Sequence, residues 1–207
     1  MKRHIVTAPP VPAMRAIMAR IMARTPSHTI PMGTPMPAFS LPDALGQVHD
    51  QTLCSGPRGT LVIFMCNHCP FVIHVAEAIA ALGAEFTPQG IGLVAINSND
   101  IEAYPQDGPE HMITFARRYG LTFPYVLDQT QNVAKAFKAA CTPDYFLYAN
   151  DHTLVYHGQL DASRPGDGTT ATGCDLQAAM NAVINGEPIH GVQVPSLGCN
   201  IKWTAAD

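Results

Sequence analysis

Charge is scarce in this chain. Asp, Glu, Lys and Arg make up 14% of its 207 residues, against roughly a quarter in average proteins. The net charge of −4 and pI near 6.1 supply no basic surface for nucleic acid as a partner. The low charge does not announce a membrane span either, because no apolar run approaches the ~18 residues that crossing requires, and no stable membrane association is expected. A secretory leader is missing its core. Pro9, Pro10 and Pro12 follow Met1-Lys2-Arg3, and Arg15, Arg20 and Arg24 then interrupt the Ala/Met/Ile run. Internal repeats and low-complexity tracts are absent. Six cysteines in a chain of this length do not make a disulfide scaffold, so a reducing, cytoplasmic compartment is expected.

What is present centres on Cys66-Asn67-His68-Cys69-Pro70. The β-branched, apolar run Leu61–Met65 before it reads as a strand. After it, Val72, Val75/Ala76, Ile79, Leu82 and Phe86 fall on one helical stripe. A strand that enters a helix through C-x-x-C is the redox corner of a thioredoxin-like unit. The thiolate is the reactive form of cysteine, and the unpaired N–H groups and positive dipole end of a helix N-terminus stabilise it. A second cysteine one turn away is within reach of a disulfide. Two other readings stay open: half of a zinc site, or a purely structural thiol pair. Zinc usually takes four ligands, and Cys141, Cys174 and Cys199 are isolated, with no second C-x-x-C. A non-enzymatic soft-metal protein would use Cys66, His68 and Cys69.

Residues 1–29 read as a loosely held N-terminal extension, with a short basic helix over Ala13–Arg24 at a membrane surface as the alternative. Residues 30–186 read as the domain and 187–207 as a tail packing on it. Within the domain, the proline-punctuated stretch Gly33–Asp43, a turn at Ala44–Gly46 and Gln47–His49 form a hairpin. A strand over 60–65, the helix after the motif and the apolar strand Ile91–Asn97 follow. Beyond a polar loop, Ser98–Gly108, come a helix over Pro109–Tyr119 and a short strand, Phe123–Leu127. Thr130 is the expected N-cap of a helix over 131–139. Strands over Asp144–Ala149 and Leu154–Gly158 flank Asn150-Asp151, and a last helix spans Asp175–Asn185. This order gives an α/β fold of the thioredoxin-like layout. A mixed central sheet lies between helices, with an N-terminal β-hairpin extension and a C-terminal tail.

Thioredoxin-like proteins place a cis-proline loop opposite the C-x-x-C, and Thr142-Pro143 occupies that position just before a strand. A cis bond is expected here, with Thr142 and Pro143 shaping a substrate-docking loop. Taken with Gly33-Thr34-Pro35, Phe39–Asp43, Cys66–Pro70, Cys141–Asp144 and Pro195–Trp203, the chain resembles the peroxiredoxin-like (redoxin, AhpC/TSA-type) branch of the thioredoxin superfamily over about residues 30 to 203. The resemblance implies a thiol–disulfide oxidoreductase with an antioxidant role, using a Cys66–Cys69 pair and no metal or organic cofactor. The implied partners are protein or small-molecule thiols and disulfides, a thiol reductant system, and peroxide in the alternative reading of a weak peroxidase using Cys69. Two departures weaken the peroxidase reading. With Cys69 aligned to the peroxide-reducing cysteine of the family motif Pro-x-x-x-Thr/Ser-x-x-Cys, Cys66 and Val62 stand at its Thr/Ser and Pro positions. No arginine lies between Lys138 and His157. Against thioredoxin itself, Met65 replaces the tryptophan before the first cysteine, and Thr60 stands where a buried acid is found.

His68 and Asn67 lie between the cysteines, where a histidine tunes the thiol pKa or stands by without effect. Thioredoxin logic makes Cys66 the attacking thiol, whereas Pro70 fits the first helical position and would put Cys69 at the N-cap; Cys66 is preferred. Cys199 and Cys141 are candidates for a third redox cysteine, each weighed against an inert buried thiol. Cys54, in a loop, and Cys174, opening a helix, are expected bystanders. His4, His28, His152, His157 and His190 are expected at the surface. Ile189, Val192, Val194, Leu197, Ile201 and Trp203 in the tail all need cover, and Trp203 is expected to fill the corner beside Met65.

Overall fold

The computed structural model describes residues 24–205; the expectations for residues 1–23 lie outside them. Burial along its whole length puts β4 (Gly59–Phe64) at the centre of the main sheet. β5 (Ile91–Asn97) and then β6 (Tyr125–Leu127) pair parallel on one side. On the other side β8 (Asp144–Ala149) and then β9 (Leu154–Tyr156) pair antiparallel. The order is therefore β6-β5-β4-β8-β9. Side chains alternate along a strand, so Leu61 and Ile63 face one half of the core and Val62 and Phe64 the other. The first half is covered by α2 (Pro70–Phe86), α3 (Pro109–Tyr119) and α5 (Cys174–Asn185). The second is closed by α4 (Asn132–Phe137) and by Met36, Phe39 and Leu41.

The stripe Val72, Val75, Ala76, Ile79, Leu82 and Phe86 is buried along α2. Pro70–Gln89 has the length and hydropathy of a membrane-crossing helix, but here that apolar surface packs on the sheet. The helix ends in a 3-10 turn and Gly90 at φ 93°, a left-handed conformation that glycine adopts without steric cost. The hairpin of β2 (Ser40–Pro42) and β3 (Val48–Asp50) leads into a short helix, α1 (Gln51–Cys54), where a loop was expected. Asp50 caps α1 by accepting from the Leu53 N–H at 2.8 Å. Cys54 ends that helix and is buried, and burial, aided by the Asp50 charge, pushes its thiol up to about 11. Thr130 is not the main cap of α4. Asp128 is buried where β6 ends and accepts from the Ala134 N–H at 2.9 Å, while Thr130 makes only a 3.4 Å contact with the Asn132 N–H.

The ends of the described chain meet in a second sheet. β10 (Leu197–Asn200) lies between β1 (Arg24–Pro26) and β7 (Cys141–Thr142), antiparallel to both. The expectation of a loosely held segment to residue 29 is therefore corrected at Arg24–Pro26. Strands this short are held by backbone pairing to distant partners and leave no periodicity to read. β10 approaches β7 closely because residue 198 is glycine: a Cβ there would stand 2.1 Å from the Thr142 carbonyl oxygen. Gly198→Ala is expected to destabilise the protein by roughly 1–3 kcal/mol, the usual cost of overpacking. A lower midpoint of urea unfolding would show it, and an unchanged midpoint would mean that the tail gives way freely.

Candidate active site

The end of β4 and the start of α2 bring the motif to the rim of the sheet. Cys69 is the N-cap of α2, with extended φ −68° and ψ 122°, and Pro70 takes the first helical position, where its missing N–H costs nothing. Opposite lies the Thr142-Pro143 peptide, which is cis. The Thr142 hydroxyl stands 3.5 Å from Cys66 Sγ, and its carbonyl accepts from Cys69 Sγ at 3.1 Å. Cys66 is 1% exposed and Cys69 0%, so both sulfurs are sealed in this conformation. One edge of β7 at Thr142, part of the expected docking loop, is occupied by β10.

The thiols share their protons unequally. Burial works to raise Cys69, but Cys199, Cys66, the Thr142 side chain and the Val72 N–H turn toward it and hold it far below the ordinary thiol range. Cys66 is raised, first because it donates to Cys69, then by burial and by the nearby Asp107 charge. Sequence logic made Cys66 the attacking thiol; the surroundings of the pair lower Cys69 and raise Cys66.

Asp107, which the sequence reading passed over as part of a polar loop, organises the loop around the motif. It is fully buried, and its Oδ1 accepts from the Asn67 and His68 N–H groups at 2.8 and 3.3 Å. Its Oδ2 accepts from Asn99 Nδ2 at 2.8 Å and stands 2.6 Å from His68 Nδ1. The His68 ring stacks on Tyr104, with centroids 5.6 Å apart and planes within 3°. Asn67 reaches the Gln106 carbonyl and accepts from the Tyr125 hydroxyl. Ser98-Asn99, a polar run at the carboxyl end of a parallel strand, was the available signal, since sites in open α/β sheets form beyond those ends.

For a metal, the structure gathers a different set from the one expected: Cys66, His68 and Asp107, rather than Cys66, His68 and Cys69, offer donor atoms within 4.8 Å of one another. The His68–Asp107 separation of 2.6 Å is shorter than the roughly 3.3 Å between two ligands at tetrahedral zinc distances. In this arrangement the two groups pair with each other.

The remaining candidates divide. Cys199 is buried opposite Thr142, and its thiol is raised, first by Cys69 beside it and then by burial. Cys141, also buried, turns its sulfur to the Pro143 carbonyl, with its thiol raised chiefly by burial. Cys174 is exposed. His157 is not at the surface: it is buried against Phe146 and pairs with the fully buried Asp144 at 2.9 Å. His152 is half-buried and bonds to Gln51. In the tail Ile201 is covered, but Val192 is exposed and Trp203 is 42% exposed and stands outside the core cluster that holds Met65. Met65 is sealed instead by neighbours within the core.

A C-x-x-C at a strand–helix corner, faced by a cis-proline loop on a mixed sheet between helices, defines a thioredoxin-like protein. The chain belongs to the AhpC/TSA family, whose model matches residues 32–157. It is 30% identical over 114 residues to the thiol-disulfide oxidoreductase ResA of Halalkalibacterium halodurans, a match covering 55% of this chain and 60% of that protein. The crystal structure of a hypothetical protein from Sinorhizobium meliloti is similar at 47% identity and a TM-score of 0.86, covering 88% of this chain and 100% of that one. A secreted disulfide oxidoreductase of Mycobacterium tuberculosis shares the fold at 17% identity and a TM-score of 0.54, over 70% of this chain and 95% of its own.

Proposed function

We propose that the protein is a thiol–disulfide oxidoreductase whose Cys66 and Cys69 cycle between dithiol and disulfide. The observation that carries this reading is the buried Cys66/Cys69 pair at the N-terminus of α2, with both sulfurs turned to Thr142 of the cis Thr142-Pro143 peptide. Cys66, outside the helix in the loop of Asn67 and His68, meets the substrate. Cys66 passes its proton to Cys69 and attacks a substrate disulfide as the thiolate, forming a mixed disulfide; the first substrate sulfur leaves and takes up that proton, which returns Cys69 to its thiolate. Cys69 then attacks the Cys66 sulfur, the Cys66–Cys69 bond forms, and the second substrate sulfur leaves as thiolate. Run backwards, Cys69 is the leaving group, and a low-pKa thiol leaves fast. Stabilising that thiolate also stabilises the reduced form and makes the disulfide more oxidising.

Protein or small-molecule disulfides are the substrate class, a second thiol system supplies or accepts the electrons, and the cysteine usage supports a reducing, cytoplasmic setting. The relative named as a thiol-disulfide oxidoreductase supports the same chemistry. An antioxidant role belongs to the same reading. Peroxide reduction at Cys69 is the second reading, favoured by its low-lying thiol and opposed by the missing arginine between Lys138 and His157. Mild oxidation followed by mass mapping is expected to find a Cys66–Cys69 disulfide; both thiols free would sink the oxidoreductase reading. Turnover that depends on peroxide, with a supplied thiol reductant, would shift the assignment to the second.

A further inference from the structure

β10 places a third sulfur beside the pair. Cys199 is the register partner of Thr142, the residue whose carbonyl accepts from Cys69 and whose hydroxyl approaches Cys66. Gly198 lets the tail come this close. β1 pairs along the outer edge of β10, and beyond the strand the Ile201 N–H donates to the Ala140 carbonyl while the Lys202 N–H donates to Asn99 Oδ1 at 2.8 Å. Cys199 is thus a buried thiol on an anchored strand, within hydrogen-bonding reach of Cys69. Cys69 has one thiol partner inside its own motif and another across the β7–β10 ladder.

We propose that Cys69 exchanges its disulfide between Cys66 and Cys199, making Cys199 a third redox residue of the site. The inference rests on the thiol–disulfide reading above. In the oxidised protein the Cys199 thiolate attacks the Cys69 sulfur. The Cys69–Cys199 bond forms as the Cys66–Cys69 bond breaks, and Cys66 leaves as a thiolate that takes up the proton Cys199 gave away. The exchange involves no net oxidation. Its product has a free Cys66 whose resolving partner is tied to the tail, so Cys66 there holds a mixed disulfide that Cys69 does not release.

The full chain, oxidised with diamide, desalted and alkylated with iodoacetamide in denaturant, tests this by peptide mass mapping. The expected result is two oxidised species, Cys66–Cys69 with Cys199 alkylated and Cys69–Cys199 with Cys66 alkylated. In a Cys66→Ser variant, Cys69–Cys199 is expected as the main disulfide, reversed by dithiothreitol. A wild-type protein in which Cys199 is always alkylated and Cys66 never is would overturn the proposal while leaving the Cys66–Cys69 reading intact. Cys69–Cys199 without any Cys66–Cys69 would overturn that reading and keep the third thiol. No disulfide at Cys69 in either protein would overturn both.

Discussion

Cys69→Ser is expected to trap the protein on its substrate. With the serine in place, Cys66 still attacks a disulfide, but no thiolate stands behind it to break the mixed disulfide. Steady turnover of a disulfide substrate should fall on the order of 10³-fold or more, the scale of loss when a covalent participant is removed, while a Cys66-linked adduct accumulates in cell extract. Cys66→Ser should lose turnover equally and accumulate no such adduct. The opposite pattern, with adducts on Cys69 in Cys66→Ser and none on Cys66 in Cys69→Ser, would exchange the roles of the two cysteines. The same variant has a pH signature. Cys69 titrates in the folded protein far below the ordinary thiol range, so below that range the unfolded chain binds a proton that the native one does not. Its contribution to stability is full above the unfolded thiol pKa of about 8.5 and shrinks as pH falls below it. Reduced wild-type protein should therefore gain more stability between pH 5 and pH 8 than reduced Cys69→Ser does, measured by urea midpoints.

Asp107 and His68 should move the reduction potential in opposite directions. The reduced pair carries a negative charge that Asp107 repels, as its effect on Cys66 shows, and the His68 ring pairs with that carboxylate at 2.6 Å. Asp107→Asn removes the repulsion, stabilises the reduced form and makes the potential less negative. His68→Ala takes away the partner of the carboxylate and makes the potential more negative. Each 1.4 kcal/mol of change in the two-electron couple corresponds to about 30 mV, so shifts on the order of 30 mV are expected in equilibrium with glutathione or dithiothreitol buffers. Shifts of the same sign, or none, would reduce the two residues to loop supports. Asp107→Ala carries a further cost, because the Asn67 and His68 N–H groups lose their acceptor; a destabilisation of roughly 1–3 kcal/mol is expected for a buried donor left unpaired.

The site therefore has two layers with different tasks. Cys66, Cys69 and Thr142 hold the sulfur chemistry, and Asp107 fixes the backbone that carries Asn67 and His68 past them. A buried carboxylate holds the loop between the two cysteines, and the same charge acts on Cys66.

By itself the sequence determined the sheet, the helices and the motif's place between them. The apolar runs 61–64 and 91–96 and the stripe from Val72 to Phe86 form elements long enough to repeat a pattern, and their burial follows from that pattern. The Cys66–Cys69 spacing and Pro70 were equally legible, because both act over a single helical turn. The tertiary structure alone decided what surrounds the sulfurs. Cys199 reaches Cys69 only because β10 slots between β1 and β7, three short strands joined through backbone pairing rather than through side-chain pattern. Asp107 reads as a solvated loop residue until Asn99, Asn67 and His68 converge on it, and His157 reads as a surface residue until Asp144 is buried beside it. Local order is written in residues near one another in the chain. The electrostatics of a buried thiol depend on residues that come together only when the ends of the fold close.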